Sequence, residues 1–300
     1  MNGGGALDSQ DTDDMIEPFI FGLSYGVLLF LIAAGLTLIF GMLGVINFAH
    51  GSFYMLGAYV TFSVVSYTGN FWLALVVGPL VVGSVGLVAE MLALRPLYNK
   101  NILYQVIVTF GLILIIEEAV NTIWGPTFQH VVTPPSLAGP VSFLGVVVPK
   151  YRLFIIVFGS AVALALYFLI EKTTIGMVIR ASASNSQMVQ CLGLDVAKVF
   201  SGVFAGGSAL AALGGVVAAP VLTISPGMGF GIIIESFIVV VLGGLGSYRG
   251  AVVGALIIGE AHGFGVHYFP DTELFIIYLV MVVVLIVRPR GLFGEVGAHG

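Results

Sequence analysis

PFI FGLSYGVLLF LIAAGLTLIF GMLGVINFAH GSFYMLGAYV TFSVVSYTGN FWLALVVGPL VVGSVGLVA, residues 18–89, contains no Asp, Glu, Lys or Arg. Roughly a quarter of the residues in a soluble domain are charged; across these 300 residues the figure is 8%, with 59% hydrophobic and a mean hydropathy of +1.12. A bilayer crossing takes about 20 apolar residues, so this one run accommodates about three. Further uncharged stretches follow at 119–149, 153–170 and 199–234. Membrane β-barrel strands alternate apolar and polar residues over about ten positions. These stretches are instead continuously apolar, which predicts an all-α polytopic membrane protein. Glycine, 41 residues, is about twice its usual share and suits close helix contacts in lipid.

Several functions are excluded at once. The single cysteine, Cys191, forms no intrachain disulfide and no thiolate metal cluster. No Gly-Lys pair occurs, so there is no phosphate-binding Walker A loop and the chain does not hydrolyse ATP alone. No basic patch suits nucleic acid. Residues 1–17 are acidic (Asp8, Asp11, Asp13, Asp14, Glu17), lack the basic start of a signal peptide and are expected to be disordered. No cofactor and no metal are expected, and no enzyme chemistry: Ser52 stands too near His50 in sequence for a nucleophile–base pair on one helix.

Hydropathy and breakers predict about nine spans, near 18–40, 46–67, 71–94, 102–124, 151–170, 197–219, 228–245, 250–268 and 273–288, within a membrane domain over 18–290 and a C-terminal tail over 291–300. Lys and Arg favour short cytoplasmic loops. With the N-terminus outside and the C-terminus cytoplasmic, Arg95, Lys100, Lys172, Arg180, Lys198, Arg249, Arg288 and Arg290 fall inside, and only Lys150 and Arg152 outside. The loop over 125–150 is then external. Its five prolines (126, 134, 135, 140 and 149) limit backbone freedom and predict a fixed external cap. The connection over 171–198 is cytoplasmic. Ser184 and Gln187 fit a capping box, Gly193 a left-handed helix end and Asp195 a cap for the next span. A short capped helix at the inner surface is predicted, of the kind a partner outside the lipid can grip.

Asn47 and His50 lie at the start of the second span, where unsatisfied polar groups cost several kcal/mol. Both must face protein, water or a translocation path. The local reading has Asn47 capping the helix and His50 bonding a neighbouring carbonyl. Glu235 and Glu260 are intramembrane carboxylates that need protonation or a partner; a pathway role and an internal hydrogen bond both fit Glu235, and an internal bond is expected for Glu260. Ser247, Ala251, Ala255, Gly259 and Gly263 recur every four residues, as do Gly207, Ala211 and Gly215; these small-residue faces predict helix packing.

Gly35-Leu36-Thr37-Leu38-Ile39-Phe40-Gly41, then Gly44-Val45-Ile46-Asn47-Phe48-Ala49-His50-Gly51 and Met55-Leu56-Gly57-Ala58-Tyr59, closely resemble the LivH-type permease subunit of branched-chain amino-acid ABC importers. The likeness continues through Gly176 to Leu194, Ile224-Ser225-Pro226, Leu242-Gly243-Gly244-Leu245-Gly246-Ser247 and Arg288-Pro289-Arg290-Gly291-Leu292-Phe293-Gly294. The acidic N-terminal stretch and Glu235 depart from the family pattern. The resemblance implies a type II-like importer permease that pairs with a second homologous permease, two ABC ATPase subunits and an external solute-binding protein. It implies branched-chain amino acids as substrate, with urea or short amides as the second class. An ATP-independent channel or secondary transporter is the alternative from another class. The candidate substrate path comprises Asn47, His50, Ser52, Ser225 and Glu235. The candidate ATPase-coupling residues are Gly176, Arg180, Ala181, Asn185 and Gly193.

Overall fold

The computed structural model describes residues 4–98, 100–143 and 146–294. Among the described residues the α-helices are α1 (Gly4–Leu43), α2 (His50–Thr68), α3 (Phe71–Ala89), α4 (Ile102–Trp124), α5 (Lys150–Lys172), α6 (Thr174–Ser184), α7 (Ser186–Cys191), α8 (Val196–Ala218), α9 (Met228–Gly243), α10 (Tyr248–Tyr268) and α11 (Glu273–Val287). The long apolar runs predict all but α6 and α7, and for these two the sequence predicts only a short capped helix at the place of α7. A π-helical turn over Glu90–Leu94 and a 3-10 turn over Arg95–Leu97 extend α3. Capping is local and polar. The side chains of Asn70, Asn101, Thr173, Asn185, Asp195 and Ser247 accept backbone N–H bonds in the first turns of α3, α4, α6, α7, α8 and α10, each satisfying a donor that the helix cannot.

Among the described residues, six helical segments are long and apolar enough to cross a membrane: Met15–Leu43, Phe71–Leu97, Ile102–Trp124, Lys150–Lys172, Val196–Ala218 and Tyr248–Tyr268. The protein is a multi-pass membrane protein. The other three expected spans fall short of that measure. α9 and α11 have 16 and 15 residues. α2 reaches 19 residues but begins with His50 and Ser52 and carries Thr61, all buried; a helix enclosed by protein has no need of a lipid-like surface.

Two expectations at the N-terminal side are corrected. Residues 4–17, expected as part of a disordered tail, continue as helix into α1; residues 1–3 lie outside the described residues. The second span does not start at residue 46. The chain leaves α1 through Gly44, whose φ of 64° is left-handed, and residues 44–47 carry no regular structure. The reason is sequence-local: Gly41 and Gly44 weaken helix continuation, and a glycine at positive φ reverses the chain without a Cβ penalty.

α1 is the axis of the bundle, with Leu29, Leu31, Ile32, Ala33, Ala34, Leu36 and Ile39 all at 0% exposure. α10 lies antiparallel along it, and the four-residue stripe forms the joint. Cβ atoms added at Gly259 or Gly263 would overlap the backbone of Gly26 or Gly22. The second stripe seats α8: Gly207 faces the Gly35 carbonyl of α1, and Gly215 faces Tyr54 of α2. Both packing predictions hold. Where side chains are this small the backbones themselves make the dispersion contacts that bind helices in lipid.

Not all is helical. The loop over 125–150 contains a hairpin, β1 (Pro140–Phe143) with β2 (Val146–Pro149), paired antiparallel from Pro140↔Pro149 to Phe143↔Val146. Val146 and Val148 pack on Ile20 of α1. Upstream, Gln129 bridges Ile224, tying this loop to the α8–α9 connection.

Candidate functional site: a re-entrant helix start and an anchored connecting segment

Two groups of candidate residues are brought together around α1. The first is built on the start of α2. His50 Nε2 lies 3.0 Å from the carbonyl of Ile32; a carbonyl only accepts, so the imidazole carries its proton on Nε2. Ile32 lies eleven residues before the end of α1 at Leu43, about 16 Å along its axis at ~1.5 Å per residue. The chain therefore folds back beside α1 before α2 starts, and α2 begins inside the protein. Its N-cap, Ala49, makes no side-chain cap bond. Asn47, expected as the cap, does not serve as one: among the described residues neither of its amide atoms finds a hydrogen-bond partner, although both are buried. Ser52 is buried in the first turn.

α9 meets this point from the other side. Gly227, at a φ of 84°, turns the chain into it, and its N-cap is also without a side-chain bond. A Cβ on Gly51 would overlap the carbonyl oxygen of Gly229, and one on Gly229 would stand 3.0 Å from the Ser52 nitrogen. Two helix starts thus cross backbone to backbone, which only glycine allows. Glu117 of α4 stands beside Gly227, where its charge complements the positive end of α9. Ser225 lies in the turn feeding α9, next to the bridged Ile224, with its carbonyl accepting from Met228. Two turns into α9, Glu235 accepts 2.6 Å from the Tyr25 hydroxyl of α1. Tyr25 also stacks on His262 of α10, ring centroids 3.9 Å apart. Phe21 stacks on the same imidazole at 5.9 Å, and Arg152 caps that column at 3.9 Å from the Phe21 ring. Sequence spacing gave no hint of this column, because its members come from four helices.

Glu260 differs from expectation. Both carboxylate oxygens are buried with no hydrogen-bond partner among the described residues, packed against Gly22; the expected internal bond is absent. A carboxylate in that state costs stability. Glu260→Gln is therefore expected to unfold in detergent at the same temperature as the parent or higher, and a clear drop in its melting midpoint would show that the charge has a stabilising role.

The second group lies in the segment over 171–198, which folds as α6 and α7. A Cβ on Gly176 would overlap the carbonyls of Leu169 and Ile170, so α6 turns hard against the end of α5. Arg180 closes this corner: its guanidinium donates to the Ile170 carbonyl and lies 3.9 Å from Glu171. A cation at a helix C-terminus satisfies carbonyls the helix leaves open. Ala181 accepts from the Asn185 backbone N–H at 2.9 Å, ending α6. The predicted cap is shifted by one residue. Ser184 closes α6, and Asn185 is the N-cap of α7, its Oδ1 accepting from Met188 N–H at 2.9 Å. Asn185 itself takes an extended φ of −153°, which breaks α6 at the position needed to start α7. Gly193 is left-handed at φ 81°, as predicted. Asp195 caps α8 through the Lys198 N–H. The hydrogen bonds from Lys198, side chain and backbone, hold the Asp195 carboxyl below the usual carboxylate range. Around this frame Ile175, Met177, Met188, Leu192 and Leu194 are exposed.

Next to it runs a polar cleft of about 400 Å³, walled by Met42, Leu43, Tyr98, Phe200 and the Ser182–Gln187 corner. Behind the cleft sits a site that sequence reading missed. Glu90, with a fully buried side chain, accepts from Arg95 Nε at 3.2 Å and Nη2 at 3.1 Å, Tyr98 hydroxyl at 2.7 Å and Ser201 hydroxyl at 2.8 Å. Burial, followed by the bond to Glu90, raises the pKa of the Tyr98 phenol, so it stays a donor. The signal was present: Glu90 ends the longest uncharged run and Arg95, the next charge, stands five residues on, a spacing that an α-helix would hold apart and a π turn brings together.

A family model described as "Branched-chain amino acid transport system / permease component" matches residues 19–285. The chain belongs to this permease family. It is 31% identical over 93% of its length to the high-affinity branched-chain amino acid transport system permease protein BraD of Pseudomonas aeruginosa, covering 96% of that protein. It is likewise 31% identical to the permease protein LivH of Escherichia coli K12, over 94% of this chain and 98% of that one. A probable branched-chain amino acid transport permease protein LivH of the archaeon Methanocaldococcus jannaschii is 31% identical over 90% of each chain. No solved structure matches. The relatives are transport permeases rather than enzymes, and the permease family supplies the frame within which the two residue groups are to be read.

Proposed function

We propose that this chain is the membrane-spanning permease subunit of an ATP-driven importer of branched-chain amino acids. It works with a second homologous permease, two ABC ATPase subunits and an external solute-binding protein. In this reading α2, α9 and α11 also cross the membrane, giving nine spans in a type II-like arrangement. The N-terminus is outside, the C-terminus cytoplasmic, the segment over 171–198 inside and the loop over 125–150 outside. The observation that carries the proposal is the form of that inner segment. Exposed apolar side chains on α6, α7 and the turn after them stand on a base fixed by Gly176, Arg180, Asn185 and Asp195. A membrane subunit without a nucleotide site needs such a rigid handle to receive work done by an ATPase.

Solute passes by alternating access along the α2–α9 crossing. Asn47, His50 and Ser52 supply polar groups at the start of α2, Ser225 one in the turn before α9, and Glu235 one two turns into α9. A helix start buried at membrane depth presents backbone N–H groups and a positive dipole end to an anionic group, such as the carboxylate of an amino acid. The glycine crossing lets α2 and α9 shift against each other without side-chain interlock. The drive comes from differential affinity between states, supplied when the ATPases close on α6 and α7.

Vesicles carrying the complete complex are expected to accumulate labelled leucine in the presence of ATP and binding protein, and to ignore urea and short amides. Vesicles carrying this chain alone are expected to be silent. Preference for urea would transfer the substrate to the second class, and flux through the lone chain would establish a channel or secondary transporter instead.

A further inference from the structure

We propose that Glu90, Arg95, Tyr98 and Ser201 form a two-position latch that links the segment over 171–198 to the membrane bundle; the inference rests on the ATP-driven permease reading. The latch joins two elements with different neighbours. Glu90 and Arg95 belong to the π and 3-10 turns that finish α3, and Tyr98 is the residue that ends them. Ser201 stands in the second turn of α8, six residues after the Asp195 cap that ends the α6–α7 segment. Displacement of α6 and α7 reaches the bundle through the end of α5, on which α6 packs, and through those first turns of α8. Tyr98 and Phe200 meet edge to face at 5.8 Å and both wall the cleft beneath the Ser182–Gln187 corner. The latch is thus a polar connection between the start of α8 and the end of α3, beside the cleft that the corner walls.

The hydroxyl of Ser201 makes this connection reversible. It has one proton and two acceptors within reach: Glu90 Oε2 at 2.8 Å across the helix gap, and the Ala197 carbonyl at 2.9 Å within its own helix. When α8 moves away from α3, Ser201 keeps Ala197. Glu90 keeps the bidentate Arg95 pair and Tyr98. No polar group is orphaned by opening, so the penalty that keeps buried ion pairs shut does not apply to this contact. A static staple has no such alternative partner. The Arg95 guanidinium, with 35% of its side chain exposed, also reaches the Ser201 oxygen in the closed position, adding a second contact that opening releases into solvent.

Ser201→Ala removes the hydroxyl and leaves the Glu90–Arg95–Tyr98 cluster whole. In the reconstituted complex with its second permease, ATPases and binding protein, it is expected to assemble with parental ATPase stoichiometry and basal ATP hydrolysis. Its ATP hydrolysed per solute imported is expected to rise about tenfold, within the ordinary range of coupling between sites. Tyr98→Phe, which frees one Glu90 oxygen position without changing Ser201, is expected to move the same ratio in the same direction by less. An unchanged ratio in Ser201→Ala overturns the latch, as does a fall in hydrolysis and uptake together at constant ratio, which is the signature of a structural contact. If the parental complex itself imports nothing with ATP, the functional reading fails, and the latch with it. A silent variant beside a working parent, assembled normally, counts for the latch only where hydrolysis persists.

Discussion

Gly51→Ala is expected to abolish most folded protein. The added methyl would overlap the Gly229 carbonyl oxygen and crowd the Ile233 side chain, so the two helix backbones would have to separate. Overpacking a rigid core costs about 1–3 kcal/mol, and more where backbone must move. Here both partners are backbone at the start of buried helices, so the upper end or beyond applies. The internal control is Gly202→Ala on α8, where nothing lies within 4 Å of the new Cβ. That change should be neutral or slightly stabilising, since alanine is the better helix former by up to about 1 kcal/mol. Thermal unfolding of the two variants in the same detergent checks the pair. A Gly51→Ala protein as stable as the parent would mean that α2 and α9 do not cross where described.

The second large effect is on function. Arg180→Glu replaces the donor to the Ile170 carbonyl with a carboxylate, beside Glu171 and at the negative end of α5. Two acids then face a row of open carbonyls, and the tight turn at Gly176 loses its closing bond. The protein is expected to insert, because the apolar spans are untouched, while α6 detaches from α5. Co-purification of the ATPases and ATP-driven uptake should both fall at least about tenfold, the loss of an ordinary coupling energy. Arg180→Lys keeps a cation near the carbonyl and should retain a large part of both. Normal assembly of the Glu variant with the ATPases would overturn the coupling role proposed for Arg180.

Much of this molecule could be read from residue order alone. The uncharged runs gave the helices, because lipid demands apolar length and nothing else competes with that signal. Four-residue glycine and alanine spacing marked the packing faces of α10 and α8, because period and helix geometry coincide, but not the helices they meet. The boundary at α2 was misread for the same reason that made the rest easy: hydropathy sees residues 46–49 as span and cannot see that Gly44 turns the chain back along α1. The cap at Ser184 was one residue off because Ser184, Asn185 and Ser186 are all competent caps, and Arg180 and Gly176 fix the corner from a distance in sequence. Glu260 was expected to be bonded since a buried acid normally is. The Glu90 cluster escaped notice because its five-residue spacing to Arg95 reads as a pair only in a π turn, and Ser201 joins it from a separate helix.

The central position of α1 also constrains how the protein is made. Its partner surface on α10, around Gly259, is synthesised more than two hundred residues after Gly22 and Gly26, with which it packs. At ~5–20 residues per second, the first helix waits roughly 10–50 s in the bilayer with its narrow glycine grooves facing lipid. During that interval any other helix with small residues is a competitor for the same grooves, and α8, which packs further along α1 at Gly35, leaves them open until α10 arrives.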